Sequence, residues 1–422
     1  MSTDAHRTID AVWRIESARI IARLARMVGD VGLAEDLAQD ALVAALERWP
    51  SSGVPDRPGA WLTSIAKRRA IDVLRHRSMA EGKRDRIALE LGEPARDPES
   101  EVHDALDDPV GDDLLRLIFT CCHPVLTTEG RVAITLRLLG GLTTEEIARA
   151  FLAPVPTVAQ RIVRAKRTLR EAGVPFEVPR GEDLHGRLAS VLEVIYLIFN
   201  EGYSATTGDA WVRPALCEEA LRLGRILAQL EPGEPEVHGL VALMELQASR
   251  LRARVGPSGE AVLLLDQDRG RWDRLLIQRG LAALARAEAL GVGLGPYGVQ
   301  AAIAACHARA AVPEETDWVR IAALYDALAQ LAPSPVVELN RAVAVGMAFG
   351  PEAGLELADA VADEAALRNY PFLPAVRGDL LEKLGRLEEA REAFERAAAL
   401  AGNAPEREVL LGRAAACAGP SS

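Results

Sequence analysis

Apolar residues recur at every third or fourth position along most of the chain, the spacing of amphipathic helices rather than strands. In "GLAEDLAQDALVAALERWP", residues 32–50, the positions Ala34, Leu37, Ala38, Ala41, Leu42, Ala45, Leu46 and Trp49 fall on one stripe. Asp36, Gln39, Asp40 and Glu47 lie on the other side. A turn-rich "PSSGVPDRP" follows, and then "GAWLTSIAKRRAIDVLRHR", with Trp61, Leu62, Ile65, Ala66, Val73 and Leu74 inward. Pro58 suits the first turn of that helix, where a missing N–H costs nothing. Further on, "LTTEEIARAFLAPVPTVAQRIVRAKRTLR", residues 142–170, predicts two short helices with a tight join. Thr143 and Glu146 have the spacing of a capping box, in which each side chain satisfies a free N–H of the helix start. Ile147, Phe151, Val158, Ile162, Ala165 and Leu169 form the inner face of this pair. No long alternating β-branched run occurs, so the chain is expected to be all-α.

From about residue 182 onward the pattern is helix after helix. "LAQLEPGEPEVHGLVALM" from Leu227 and "LAQLAPSPVVELNRAVAV" from Leu328 look like one unit used twice, and "GRLEEAREAFERAAALAGNAPEREVLLGRAA" from Gly385 carries a third version. A helix ending in leucine, a proline-containing break and a fresh apolar helix is the form of a stacked helical hairpin array. The last copy fits the tetratricopeptide pattern of about 34 residues best, through Leu384, Gly385, Ala390, Phe394 and Ala398.

Composition agrees with helices: 49% of residues are hydrophobic but only 4% aromatic, and alanine and leucine lose little on entering a helix. Charge divides the chain. Residues 1–180 hold 26 basic and 27 acidic side chains, and the remainder 23 and 34, for a net charge of -12 overall. Between the amino-terminal helices and the helix pair runs "ELGEPARDPESEVHDALDDPVGDD", with ten acids, one arginine and three prolines. It has too little apolar surface to fold alone and reads as an acidic tether. The boundaries expected are 1–88 for a first helical domain, 89–110 for the linker, 111–178 for a second domain and 182–422 for a helical extension. Five cysteines without CxxC spacing fit a reducing compartment. The first twenty residues carry charges throughout, unlike a signal peptide, and the apolar run "VLEVIYLIF" is too short to span a bilayer. A cytoplasmic protein without a membrane role is expected.

The second helix of the 142–170 pair sets out the chemistry. Thr157, Gln160, Arg161 and Arg164 share its outer face, flanked by Lys166, Arg167 and Arg170. A helix-turn-helix inserts such a face into the major groove. There arginine bonds a guanine edge bidentately and glutamine an adenine, while flanking cations meet phosphates. A second basic patch comprises Lys67, Arg68, Arg69, Arg75 and Arg77. A local patch binds a polyanion whatever the total charge, because screening limits reach to about 8–10 Å. Elsewhere, "CCHP" at 121–124 lacks a second ligand pair and is expected to pack rather than bind zinc. Asn200, Glu201 and Tyr203 are expected in a glycine-bearing loop that packs between domains or receives a ligand or partner. Asp266, Asp268, Arg269 and Asp273 read as an ion-paired loop. No Walker, GxSxG, HExxH or GxGxxG framework is present, so no catalytic residue, metal or cofactor is assigned.

These stretches, in this order and spacing, resemble an extracytoplasmic-function sigma factor of the bacterial sigma-70 family. "DVGLAEDLAQDALVAALERW" and "AWLTSIAKRRAIDVLRHR" are similar to the two halves of region 2, and residues 142–170 to the reader of region 4. The resemblance implies that Asp36, Gln39, Asp40 and Glu47 contact the β′ clamp helices of core RNA polymerase. Region 4 would in turn meet the β flap. It places Lys67, Arg68, Arg69, Arg75 and Arg77 at the −10 element, Arg68 standing where the family usually has asparagine. Thr157, Gln160, Arg161, Arg164, Lys166 and Arg167 fall at the −35 element of promoter DNA. The loop between Trp49 and Trp61 is expected to wall a pocket for an everted base. The acidic tether is expected to occupy a basic channel of the polymerase.

The extension, through "LIFNEGYSATTGDAW" and "DQDRGRWDR", resembles that of a subgroup with a tetratricopeptide-like regulatory region, often found beside small YCII-related (DGPF-type) proteins. The competing reading is a helix-turn-helix regulator with a helical sensor body that acts without being a polymerase subunit. An enzyme within the extension is a third, for which no constellation is found.

Overall fold

The computed structural model describes residues 2–85, 110–151, 153–179, 181–204, 212–257 and 260–418. Most of the acidic tether therefore lies outside the described residues, as does the side chain of Arg77. Eighteen α-helices and no strand occur among the described residues. The expected all-α class is what the chain adopts. It divides into two compact units, residues 1–195 and 196–422.

The first unit opens with α1 (Ser2–Val28), α2 (Val31–Ser52) and α3 (Pro58–Asp85). Asp30 starts α2 by accepting the N–H groups of Gly32 at 2.7 Å and Leu33 at 3.0 Å. That satisfies two donors the helix would otherwise leave bare. Ala34, Leu37, Ala38, Ala41, Ala45 and Trp49 are buried as the apolar stripe requires. Leu46 is not: it is 36% exposed, and Ala44 takes its place in the core. A small residue suits the close approach of α1 and α2, whereas Leu46 joins Val43 on the outer face. Trp49 meets Trp61 edge to face, with ring centroids 5.3 Å apart, and so closes the turn between α2 and α3.

Four helices follow: α4 (Val110–Cys121), α5 (Thr128–Leu138), α6 (Thr144–Ala150) and α7 (Val155–Glu171). The capping box forms as predicted, Thr143 N–H donating to Glu146 Oε2 at 2.8 Å and Glu146 N–H to Thr143 Oγ1 at 3.1 Å. Ile147, Val158, Ile162, Ala165 and Leu169 are buried where α7 packs on α5 and α6, and Phe151 is half-buried. Both cysteines of "CCHP" are buried, and Cys122 Sγ lies 3.6 Å from Thr135 Oγ1. Burial pushes the Cys122 thiol up to about 12, so it stays a protonated core residue.

The next helix, α8 (Glu182–Tyr203), starts in this unit. Ser190 Oγ donates to the Cys122 carbonyl at 2.6 Å, Arg187 donates to the Phe119 carbonyl at 2.8 Å, and Arg131 pairs with Glu193 at 2.9 Å. Residues 187–193, which the sequence pattern groups with the extension, thus seal the α4–α5 corner.

The second unit contains α9 (Pro214–Leu230), α10 (Pro235–Ala248), α11 (Arg274–Ala289), α12 (Pro296–Arg309), α13 (Trp318–Leu331) and α14 (Pro335–Phe349). It ends with α15 (Pro351–Ala360), α16 (Phe372–Lys383), α17 (Leu387–Leu400) and α18 (Ala404–Cys417). Each helix–break–helix unit seen in the sequence is present: α9 to α10, α13 to α14 and α17 to α18. In all three the second helix carries proline in its first turn, where φ is already helical. Consecutive helices pack on one another, and Phe394 of α17 is fully buried in a cluster with Leu339, Ala342, Ala390 and Ala397.

Two local expectations are corrected. Asn200, Glu201 and Tyr203 do not lie in a loop but in the last turns of α8. Gly202 is there for close packing: a Cβ would stand 2.7 Å from the Cys217 backbone nitrogen. Glycine in a helix interior reads as a breaker, and here the neighbouring helix requires it. The 266–273 segment is not an ion-paired loop either. Asp268 accepts the Gly270 N–H at 2.8 Å, and Asp273 caps α11 through the N–H groups of Leu275 at 3.0 Å and Leu276 at 3.1 Å.

Candidate nucleic-acid interface

Helix α7 is amphipathic in three directions. Its apolar face packs on α5 and α6. A second edge carries Gln160 and Arg164, both exposed, with Thr157 and Arg161 half-buried beside them. Val163, 64% exposed, adds an apolar contact within the same outward surface. The helix begins at Pro154, which offers no side-chain cap. Pro156 has no N–H, and the Thr157 N–H donates to the Pro154 carbonyl at 2.9 Å, so the helix start presents few free donors.

The third edge holds Lys166 and Arg170, and it faces α2. At about 100° per residue Lys166 lies about 180° from Thr157, so it belongs to a different face from the groove readers. Its ammonium pairs with Oε2 of Glu35 and lies 3.8 Å from Asp36. Glu35 also receives Arg137 Nε of α5 at 2.6 Å and Gln39 Nε2 at 2.5 Å. Its side chain is only 3% exposed. A carboxylate withdrawn from water to this extent is tolerable only with such partners. Arg170 pairs with Asp30 at 2.8 Å, and Arg14 of α1 reaches Glu146 at 2.6 Å. Asp113 of α4, buried, pairs with Arg26 of α1 at 3.3 Å and Arg116 at 2.9 Å. Charge complementarity therefore joins the α1–α3 helices to the α4–α7 helices.

The remaining expected residues are spread over two surfaces. On α2, Asp36, Asp40 and Glu47 are exposed and line up with the exposed Val43 and Leu46, while Gln39 is half-buried against Glu35. On α3, Arg68 and Arg75 are exposed and Lys67 is half-buried. Arg69 turns to Asp40 at 2.9 Å, which ties the basic patch to the acidic stripe. Arg167 is 64% exposed and lies 3.8 Å from Glu171. In the second unit, Glu201 is buried and paired with Arg213, and Tyr203 stacks on Phe199 with centroids 5.7 Å apart. Pattern reading did not find Glu35. It sits at the edge of the apolar stripe of α2, a carboxylate beside Ala34 and Ala38, and its partner Arg137 is 102 positions away.

Residues 15–79 match the model of Sigma-70 region 2, and residues 116–169 that of Sigma-70, region 4. The chain is 30% identical over 157 residues to the ECF RNA polymerase sigma factor SigK of Mycobacterium tuberculosis, an alignment covering 79% of that protein and 36% of this chain. It belongs to the ECF sigma factors. It is also 30% identical over 173 residues to the probable ECF RNA polymerase sigma factor SigI of the same organism, covering 58% of that protein and 41% of this chain. An uncharacterized protein of Rhizobium meliloti is 46% identical over 407 residues, 94% of each chain. The extension is therefore shared as well. Within this sigma factor, residues 187–288 match a family of unknown function, DUF6596. No helix among the described residues is long and apolar enough to cross a membrane. No cluster among them has the three His, Cys, Asp or Glu side chains that would hold a metal ion.

Proposed function

We propose that this sigma factor, seated on core RNA polymerase, reads the −35 element with α7 and the −10 element with α3, under control of its helical extension. The observation that carries the reading is the division of α7. Gln160, Arg161 and Arg164 form an outward edge fit for a major groove, while Lys166 and Arg170 of the same helix are tied to α2. Arginine and glutamine supply the bidentate base contacts, and Arg167 supplies a phosphate contact. On α2 the stripe of Asp36, Asp40, Val43, Leu46 and Glu47 mixes carboxylates with exposed apolar side chains, as a protein-docking surface does. It supports the β′ clamp helices as its partner. Such a stripe has no use in a regulator that acts without polymerase.

Geometry adds a step. The −10 and −35 elements are about 25 base pairs apart, which is about 85 Å of duplex at about 3.4 Å per pair. Helix α2 has 22 residues and spans about 33 Å, and both α3 and α7 pack on it. The two readers cannot reach both elements while Glu35 and Asp30 hold α7. The proposal therefore includes opening of this acid–base contact when polymerase binds, with the linker spanning the gap.

Regulation by the extension is tested by truncation. Since Ser190 and Glu193 seal the α4–α5 corner, the chain should be cut after Tyr203 rather than near residue 180. The shortened protein is expected to bind core polymerase and to give run-off output different from that of the full chain at equal holoenzyme concentration. Equal output at every promoter would remove the regulatory role.

A further inference from the structure

The second unit holds an open cavity of about 220 Å³ between α10, α12 and α13. Leu243, Leu264, Ile303 and Ala304 supply apolar lining, and Arg250, Gln247, Gln300, His307 and Tyr325 interleave polar groups with it. None of these lining residues is acidic.

Arg250 is fixed before any ligand arrives. Its guanidinium carbon lies 5.8 Å from the Tyr203 ring centroid and 5.6 Å from that of Trp272. Its Nη2 donates to the Tyr203 hydroxyl and to Gln247 Oε1. Two further guanidiniums crowd the same rings: Arg254 stands 3.9 Å from the Tyr203 centroid and Arg269 5.1 Å from that of Trp272. Arg269 is 5% exposed and donates to the carbonyls of His307 and Ala310, both at 2.8 Å, and to Thr316 Oγ1 at 3.0 Å. Among the described residues, Arg250 and Arg269 thus hydrogen-bond neutral acceptors only. Glu314 and Glu315 act on Arg269 through space. The half-buried Arg250, with no bonded carboxylate, leaves the cavity electropositive.

His307 adds a second polar side chain to the lining. It is 9% exposed, its ring meets Trp318 edge to face at 5.2 Å, and its Nδ1 has no hydrogen-bond partner among the described residues. Burial, reinforced by Arg250 and Arg269, pulls its pKa down to about 3, so the imidazole is neutral near pH 7. Burial pushes the Tyr325 phenol up to about 12, which keeps its hydroxyl a donor.

We infer that this cavity binds a small carboxylate with a compact apolar body. The carboxylate would meet Arg250 with His307 beside it, and the body would lie on Leu243, Leu264 and Ile303. Size agrees: a cavity of about 150 Å³ holds benzene, so this one has room for a ring bearing one carboxyl group. Neither the site nor its test depends on the promoter reading.

The probes are benzoate, phenyl phosphate and benzamide, titrated into the full-length protein by calorimetry and by saturation-transfer NMR. Benzoate is expected to bind, with uncharged benzamide at least about tenfold weaker, the cost of one charge-assisted hydrogen bond. Arg250→Gln is expected to weaken benzoate by about tenfold or more. Ala304→Leu fills the cavity while keeping every charge, and should abolish binding with the melting temperature retained. The inference is overturned if benzoate binds both variants as it binds the parent, if benzamide binds equally well, or if no probe binds. Phenyl phosphate binding where benzoate does not would overturn the carboxylate assignment.

Discussion

Simultaneous replacement of Gln160, Arg161 and Arg164 by alanine is expected to lower run-off transcription from a promoter with a −35 element by about a hundredfold or more. Each bidentate base contact is worth about 1–3 kcal/mol, and two such contacts already give that factor. The fold should survive. None of the three side chains is part of the α7 core, which is built from Val158, Ile162, Ala165 and Leu169, and alanine favours helix. Binding to core polymerase should be unchanged, because it is assigned to α2. Transcription at the parent level from such a promoter would show that α7 does not read the groove.

The second large effect is expected at Glu35. Glu35→Ala leaves Arg137 and Lys166, whose side chains are 23% and 18% exposed, without their shared carboxylate. Breaking a buried pair in this way costs about 3–5 kcal/mol. Partial exposure of the cations brings the expectation toward the lower end. The loss should appear as separation of α7 from α2, not as unfolding of either. Dyes placed at Val43→Cys and Val163→Cys report it by energy transfer, since both sites are exposed. The native Cys121, Cys122, Cys217 and Cys306 are buried with thiol pKa values raised by burial, and so react slowly. Transfer should fall in the variant, and association with core polymerase should tighten because less work remains in opening. Unchanged transfer and unchanged affinity would mean that the Glu35 contact does not hold the closed unit.

Most of the fold was legible in local pattern. The stripes of α2, α3 and α7, the Thr143–Glu146 box and the proline-led helices of the extension all come from interactions within a few turns. Leu46 was misplaced because a helical wheel gives direction but not the distance of the neighbouring helix, and that distance favoured Ala44. Gly202 misled for a related reason: its need arises from Cys217 on another helix. The groove-facing set on α7 could be proposed from spacing alone. The separation of Lys166 and Arg170 from it could not, because their partners Glu35 and Asp30 lie more than a hundred positions earlier. Arg250 and His307 gave no sequence signal at all. They are 57 positions apart, and only the packing of α10 against α12 sets them on one cavity.

Each role assigned to α2, α3 and α7 requires the chain to act as a polymerase subunit. The most direct measurement is run-off transcription with purified core RNA polymerase, with and without the full-length protein, on a library of genomic fragments from the source organism. The protein is expected to co-purify with core enzyme, and discrete transcripts to start only in its presence, downstream of a shared pair of elements. Failure to associate with core enzyme, with no transcript from any fragment, would contradict it.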